Sequence, residues 1–140
     1  MYIAQLNLKD FKSFGGVHEL PLSPGFTAIV GPNGSGKSNL LDGLRWVLGE
    51  GSPGRLRVTR QQDLIFQGCA TLEAARETEV TLQLRGEKRR ATLRRRFDVE
   101  GGGTILLDGG RVRLQDLEPF KRRWHLEGDR LEPRVAQKGT

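Results

Sequence analysis

Residues 31–38 read Gly-Pro-Asn-Gly-Ser-Gly-Lys-Ser, a complete match to the phosphate-binding pattern G-x-x-x-x-G-K-[ST]. The pattern requires a strand running into a tight loop and a helix running out of it. Gly31, Gly34 and Gly36 permit the turn that points successive N–H groups at an anion. Lys37 then reaches the β- and γ-phosphates, and the Ser38 hydroxyl is placed to ligate Mg²⁺. Both flanks agree. Phe26-Thr27-Ala28-Ile29-Val30 is an apolar, β-rich run suited to a buried strand. A helical pattern follows from about Lys37 to Leu48, and its N-terminal dipole favours phosphate. The loop predicts binding of a nucleoside triphosphate.

The 140 residues leave room for one domain with a real core. No apolar run approaches the roughly 18 residues of a membrane span, so no membrane partner is expected. The N-terminus lacks the basic-then-apolar layout of a signal peptide. A single cysteine, Cys69, cannot form an internal disulfide and suits a reducing cytosol. Lys and Arg total 23 against 17 Asp and Glu, and the excess is uneven. Arg85, Lys88, Arg89, Arg90, Arg94, Arg95 and Arg96 fall in one stretch with only Glu87 and Asp98. Such a run suits a polyanionic partner or, equally, a solvated strand face. Alternation puts Arg90, Thr92, Arg94 and Arg96 on one face, opposite Leu93 and Phe97.

Period-2 alternation predicts a half-buried strand over 2–8 and a second over 17–22. The helix carries Leu40, Leu41, Leu44, Val47 and Leu48 as an apolar stripe and stops at Gly49. Trp46 falls off that stripe, which predicts burial on two sides. A loop over 49–54 and a short apolar segment, Leu64-Ile65-Phe66, follow. Strands are expected near 80–85, 91–99, 105–107 and 112–114, the last two joined by Asp108-Gly109-Gly110. Residues 116–123 suit a short helix. Strands thus outnumber helices and pair as consecutive hairpins, whereas a small phosphate-transferring kinase would alternate the two.

Phe11-Lys12-Ser13-Phe14, the block from Gly31 to Asn39, and Arg45-Trp46-Val47-Leu48-Gly49-Glu50 resemble the opening of SMC proteins. These are the structural-maintenance-of-chromosomes ATPases, of bacterial type here. Asp63-Leu64-Ile65-Phe66-Gln67-Gly68 and Arg113-Leu114-Gln115-Asp116 are also similar to that family, so the resemblance runs from Met1 to about Leu117. It implies an α/β fold, the N-terminal lobe of a P-loop, ABC-type ATPase head. A hairpin-rich sheet would surround a central phosphate-loop helix. In the family a coiled coil and a dimerising hinge intervene before the C-terminal part of the head supplies the signature motif and Walker B carboxylates. No apolar run ending in Asp-Glu follows Ser38, and no Leu-Ser-Gly-Gly or heptad stretch is present. Residues 1–140 are therefore expected to be the N-terminal half of a head.

The resemblance also implies roles for residues. Pro32, Asn33, Gly34, Ser35, Gly36, Lys37, Ser38 and Asn39 would cradle ATP, with Asn33 next to the γ-phosphate. Lys12 and Ser13 match the segment beside the base and ribose. Arg57 matches an arginine that reaches the nucleotide and modulates hydrolysis, a task that suits its bidentate fork. The glutamine that joins Ser38 on Mg²⁺ has two candidates, Gln67 and Gln137. Gln137 stands where the family places it, although its surroundings depart from the usual Gly-Gln-Gly. Arg60 and Arg113 fall where the family presents basic residues to double-stranded DNA. Gln115 stands where another basic residue is common. Implied partners are the C-terminal half of the same head, a second head across an ATP sandwich, and accessory subunits. The implied location is the cytoplasm, on the nucleoid.

A recombination or repair ATPase of the same superfamily is the alternative reading. A kinase or GTPase needs a downstream acidic or base-specificity motif, and none follows. A purely basic nucleic-acid module leaves the phosphate loop unexplained.

Overall fold

The computed structural model describes residues 2–21 and 34–124, with side chains described for 3–20 and 39–124. The expected strand over 26–30, Gly31 to Asn33 and Gln137 lie outside the described residues. Of Gly34 to Ser38 only the helical backbone is described.

The elements in chain order are β1 (Tyr2–Phe11), β2 (Phe14–Pro21), α1 (Gly34–Val47), β3 (Glu77–Arg85), β4 (Arg90–Asp98), β5 (Gly102–Leu107), β6 (Gly110–Val112) and α2 (Leu117–Arg123). Two short 3₁₀ turns, Gln61–Leu64 and Leu114–Asp116, precede β3 and α2. The six strands form one antiparallel sheet in the order β2-β1-β3-β4-β5-β6. Every expected strand among the described residues has a counterpart, but the last runs Gly110–Val112 rather than 112–114, because the turn is tighter than expected and Leu114 already begins a 3₁₀ turn. Both N-terminal strands reach further toward their shared turn than alternation alone indicates. Helix α1 begins at Gly34 rather than Lys37, because the glycines of the loop also form its first turn.

One face of the sheet is apolar and packs on α1. Cross-strand register lines up Leu6, Leu82 and Leu93 in one row. Leu8, Val80, Arg95, Ile105 and Val112 make the next. Leu6, Leu8, Val80, Leu82 and Leu93 are at most 1% exposed. Burial of this kind stabilises by about 25 cal/mol per Å² of apolar surface. Helix α1 approaches closely because it carries Gly43. A Cβ there would lie 2.8 Å from Leu8 Cδ2, so even alanine would force Leu8 or the helix to shift.

Trp46 is fully buried, as its position off the stripe predicts, with its ring 5.7 Å from that of Phe11. The helix ends in a Schellman turn: Glu50 N–H donates to Arg45 O and Gly49 N–H to Trp46 O, each at 3.0 Å. Gly49 takes the left-handed conformation this turn requires, with φ +112°. Leu117 and Phe120 of α2, with Trp124 just beyond it, join the same core.

The arginine-rich stretch does not form a single cationic face. Arg94 and Arg96 point outward and pair with Glu79 and Glu77 on β3 at 3.1 to 3.9 Å. Arg89 lies over the Trp124 ring, 4.4 Å from its centroid, and donates to Arg123 O. Arg95 points inward. Much of the charge at Arg94 and Arg96 is therefore balanced locally.

Candidate functional site

Three segments distant in sequence meet beside α1. The first is the β1–β2 turn. A register shift between Lys9 and Phe11 and left-handed backbone at Asp10 (φ 51°) and Lys12 (φ 50°) send the chain round sharply. Asp10 Oδ1 accepts the Gly16 N–H at 2.7 Å, which closes the turn. The segment after the first 3₁₀ turn clamps it from outside. Lys12 N–H donates to Leu64 O at 2.7 Å, Phe66 N–H donates to Asp10 O at 2.9 Å, and Ile65 bridges to Phe11. Two of the five motifs that carry the family resemblance are thus partners in space.

The second segment is α1, which presents Asn39 and Asp42 three residues apart on one face. The third is the loop holding Leu56, Arg57 and Val58. Val58 N–H donates to Pro53 O and Arg57 N–H to Gly54 O. Leu56 anchors the loop in the core at 1% exposure. Arg57 itself adopts a left-handed φ of 58°.

The side chains of these segments form one network. Asn39 Nδ2 donates to Ser13 Oγ at 2.7 Å, and Arg57 Nη2 donates to Asn39 Oδ1 at 3.1 Å. Lys12 Nζ donates to Asp42 Oδ2 at 2.7 Å and to Leu56 O at 3.1 Å. Arg57 reaches the same carboxylate oxygen with Nη2 at 2.6 Å and Nε at 3.1 Å. Arg45 stands 3.5 Å from Asp42 Oδ1. Asp42 is fully buried, and a buried carboxylate is tolerable only when paired and hydrogen-bonded in this way.

Ser13, Asn39 and Arg57, each expected at the nucleotide, are therefore hydrogen-bonded in a chain directly after the helical turn that contains Lys37 and Ser38, and Lys12, expected there too, joins them through Asp42. Arg57 remains half exposed while bonded to Asp42 and Asn39, and a guanidinium fork at the surface suits an incoming anion. Gln67 spends its amide on Ile65 O at 2.9 Å. Arg60 and Arg113 lie apart from the network. Each opens a 3₁₀ turn, and its backbone N–H is held by an aspartate three residues on, Asp63 or Asp116, at 2.9 Å. Both arginine side chains are mostly exposed, at 66% and 75%.

Sequence reasoning missed two residues. Asp42 showed no signal beyond a carboxylate in an apolar helix. Arg95 was hidden in a run of arginines. It is 7% exposed, lies over the Trp46 ring, and donates to Trp46 O at 2.7 Å and Glu50 O at 2.9 Å. It thereby caps the C-terminal end of α1. Burial pushes its guanidinium down to about 10, partly offset by the Glu50 charge, so it is cationic at neutral pH.

Comparison with known proteins places this arrangement. The family described as RecF/RecN/SMC N terminal domain matches residues 2–131. The chromosome partition protein Smc of Halothermothrix orenii is 39% identical over 125 residues, covering 84% of this chain and 10% of that protein. The protein of the same name from Mycobacterium tuberculosis is 38% identical over the same shares. The chain thus spans about a tenth of the length of the curated relatives it matches. A solved SMC head bound to the C-winged helix domain of ScpA superposes with TM-score 0.79 at 30% identity, covering 91% of this chain and 42% of that one. A structure from work on ATP-driven dimerization and DNA stimulated activation of SMC ATPases gives 0.78 at 30%, covering the whole of both chains. A RecF structure at 17% identity, TM-score 0.62, shares the fold. A hairpin-rich sheet over a phosphate-loop helix, matched along nearly its whole length, assigns this chain to the RecF/RecN/SMC N-terminal domain family, as the N-terminal segment of an SMC-type ATPase head.

Proposed function

We propose that this chain forms the ATP-binding half of a composite head in a chromosome-partition ATPase that acts on double-stranded DNA. The convergence of Lys12, Ser13, Asn39 and Arg57 on the helix opened by the phosphate loop carries this reading. The network is cationic where it meets solvent, and the phosphate loop stands at the start of the same helix. ATP would lie along this side of α1, with its phosphates in Pro32 to Ser38 and its base and ribose beside Lys12 and Ser13. These residues orient the nucleotide and neutralise its charge. Bound Mg²⁺ supplies further neutralisation at the phosphates, and the Ser38 hydroxyl and Gln137 amide are the groups suited to hold it. Among the described residues no cluster of His, Cys, Asp or Glu offers a separate metal site.

Hydrolysis needs a carboxylate that orients water, and in this reading it comes from the C-terminal half of the head. Two heads would close on ATP as a homodimer, and exposed Arg60 and Arg113 would hold DNA phosphates without regard to sequence. A neighbouring head structure is bound to a domain of ScpA, and a comparable accessory subunit is proposed here. The setting would be the cytoplasm, on the nucleoid. Co-expression of residues 1–140 with a C-terminal counterpart, followed by turnover assays with and without DNA, tests the proposal. DNA-stimulated turnover is expected, and its absence in a folded, ATP-bound head would contradict it.

A further inference from the structure

Among the described residues, four other than glycine have a positive φ: Asp10, Lys12, Arg57 and Asp108. Asp108 belongs to the tight Asp-Gly hairpin turn and Asp10 to the irregularity at the end of β1. The remaining two are cations, and both place their charge on one oxygen, Asp42 Oδ2. Left-handed backbone at a non-glycine residue is strained and persists only where surroundings over-determine it. Here the surroundings are the same buried carboxylate, at positions 30 and 15 residues away in sequence.

We infer that Asp42 is a positioning residue of the nucleotide site. It holds Lys12 and Arg57 at fixed points beside α1, and it acts on the reaction through them. The inference rests on the reading above, in which Lys12 and Arg57 meet the nucleotide. The geometry fits this task better than that of a core ion pair serving stability alone. Asp42 lies one turn beyond the Lys37 and Ser38 positions on α1, so the helix that carries the phosphates also carries the anchor. Lys12 and Arg57 come from separate loops, and the one carboxylate ties both to the helix. Arg57 is only half buried by the contact and keeps a face toward solvent. Asn39 adds a second hold on the same guanidinium at 3.1 Å, three residues back on the helix. Preorganised cations cost no rearrangement when charge develops on the phosphates.

The test uses the complete head and reads ATP kinetics for Asp42→Asn, Arg57→Ala and the double variant. Asp42→Asn keeps the volume and removes the charge. Its kcat is expected to fall at least about fivefold in the native background. In the Arg57→Ala background it should lower kcat no further, while still raising KM for ATP through Lys12. An equal fall in kcat in both backgrounds would overturn the inference, because Asp42 would then act without Arg57. Asp42→Glu gives a second reading. It retains the charge and moves the carboxylate by about 1 Å, a displacement that is costly only where position matters. Its kcat should also fall, and an unchanged kcat would overturn the inference. Failure of both variants to assemble a head would overturn it too, since Asp42 would then serve the fold. An unaltered head that does not bind ATP would instead sink the functional reading, and Lys37→Ala serves as the non-binding control.

Discussion

Arg95 stacks on Trp46 and bonds to it at once: its guanidinium lies 4.8 Å from the ring centroid and donates to the backbone carbonyl of the same residue at 2.7 Å. The contact ties β4 to the end of the phosphate-loop helix. Arg95→Ala removes the donor shared by Trp46 O and Glu50 O and strips the indole of its cover. An expected loss of about 2 kcal/mol or more follows from the unpaired carbonyls and the lost stack. Urea unfolding of the head measures it, with Arg95→Lys falling between the two.

The same residue fixes a pH expectation. Its folded pKa, about 10, lies below the ordinary arginine value. The folded state therefore sheds this proton first, and its contribution to stability rises with pH only between those two values. Below pH 10 it is flat. The loss caused by Arg95→Ala should be the same at pH 6 and pH 8, and a loss that differs tenfold in equilibrium constant between them would contradict the assignment.

Nucleotide affinity should depend on Lys37. Replacing it with Ala leaves the loop glycines and the helix N-terminus but removes the cation facing the β- and γ-phosphates. Calorimetry on the head is expected to show ATP binding at least about tenfold weaker, or roughly 1.4 kcal/mol.

The DNA reading has its own signature. In Arg60 and Arg113 the backbone N–H, not the side chain, makes the capping bond, so Glu at both positions leaves that bond in place. Each guanidinium also sits near its capping aspartate, at 3.3 and 3.7 Å, in an exposed pair of little strength. DNA phosphates can displace such a partner. The double variant should bind DNA more weakly, with the log–log salt slope flattened by roughly 0.9 for each lost contact. Parent-like binding at every salt concentration would reduce the two residues to a solvated face.

Cys69 is exposed, and the Thr71 hydroxyl, with the Thr71 and Leu72 backbone, holds its thiol below the ordinary range. The thiolate thus forms at a lower pH than in a free cysteine. Alkylation rates followed against pH should show a depressed midpoint that Thr71→Val moves upward.

Much of the sheet was legible because its strands alternate and its turns carry glycine. Val80, Leu82 and Leu84 could hardly face anywhere but inward, and Asp108-Gly109 marked its hairpin. Arg95 was not legible. Its direction follows from register, which sets it opposite Val80 on one side and Ile105 on the other. Nothing in a run of arginines marks the one residue that a tryptophan beneath the sheet will accept. The site was legible through its motifs, which named Lys12, Ser13, Asn39 and Arg57 separately. What joins them is Asp42, whose partners lie 30 and 15 residues away, a distance local patterns do not span.

ATP turnover by residues 1–140, alone and combined with a C-terminal counterpart, tests the composite-head account most directly. Asp42, Glu50 and Asp63 lie near the loop in sequence. Asp42 is taken up by Lys12 and Arg57, Glu50 follows the end of α1, and Asp63 caps its own turn. None is placed to orient water for hydrolysis. The account predicts no turnover above background for the chain alone and turnover in the combined head that Ser38→Ala abolishes. Steady turnover by the purified chain alone, abolished by Ser38→Ala, would contradict it.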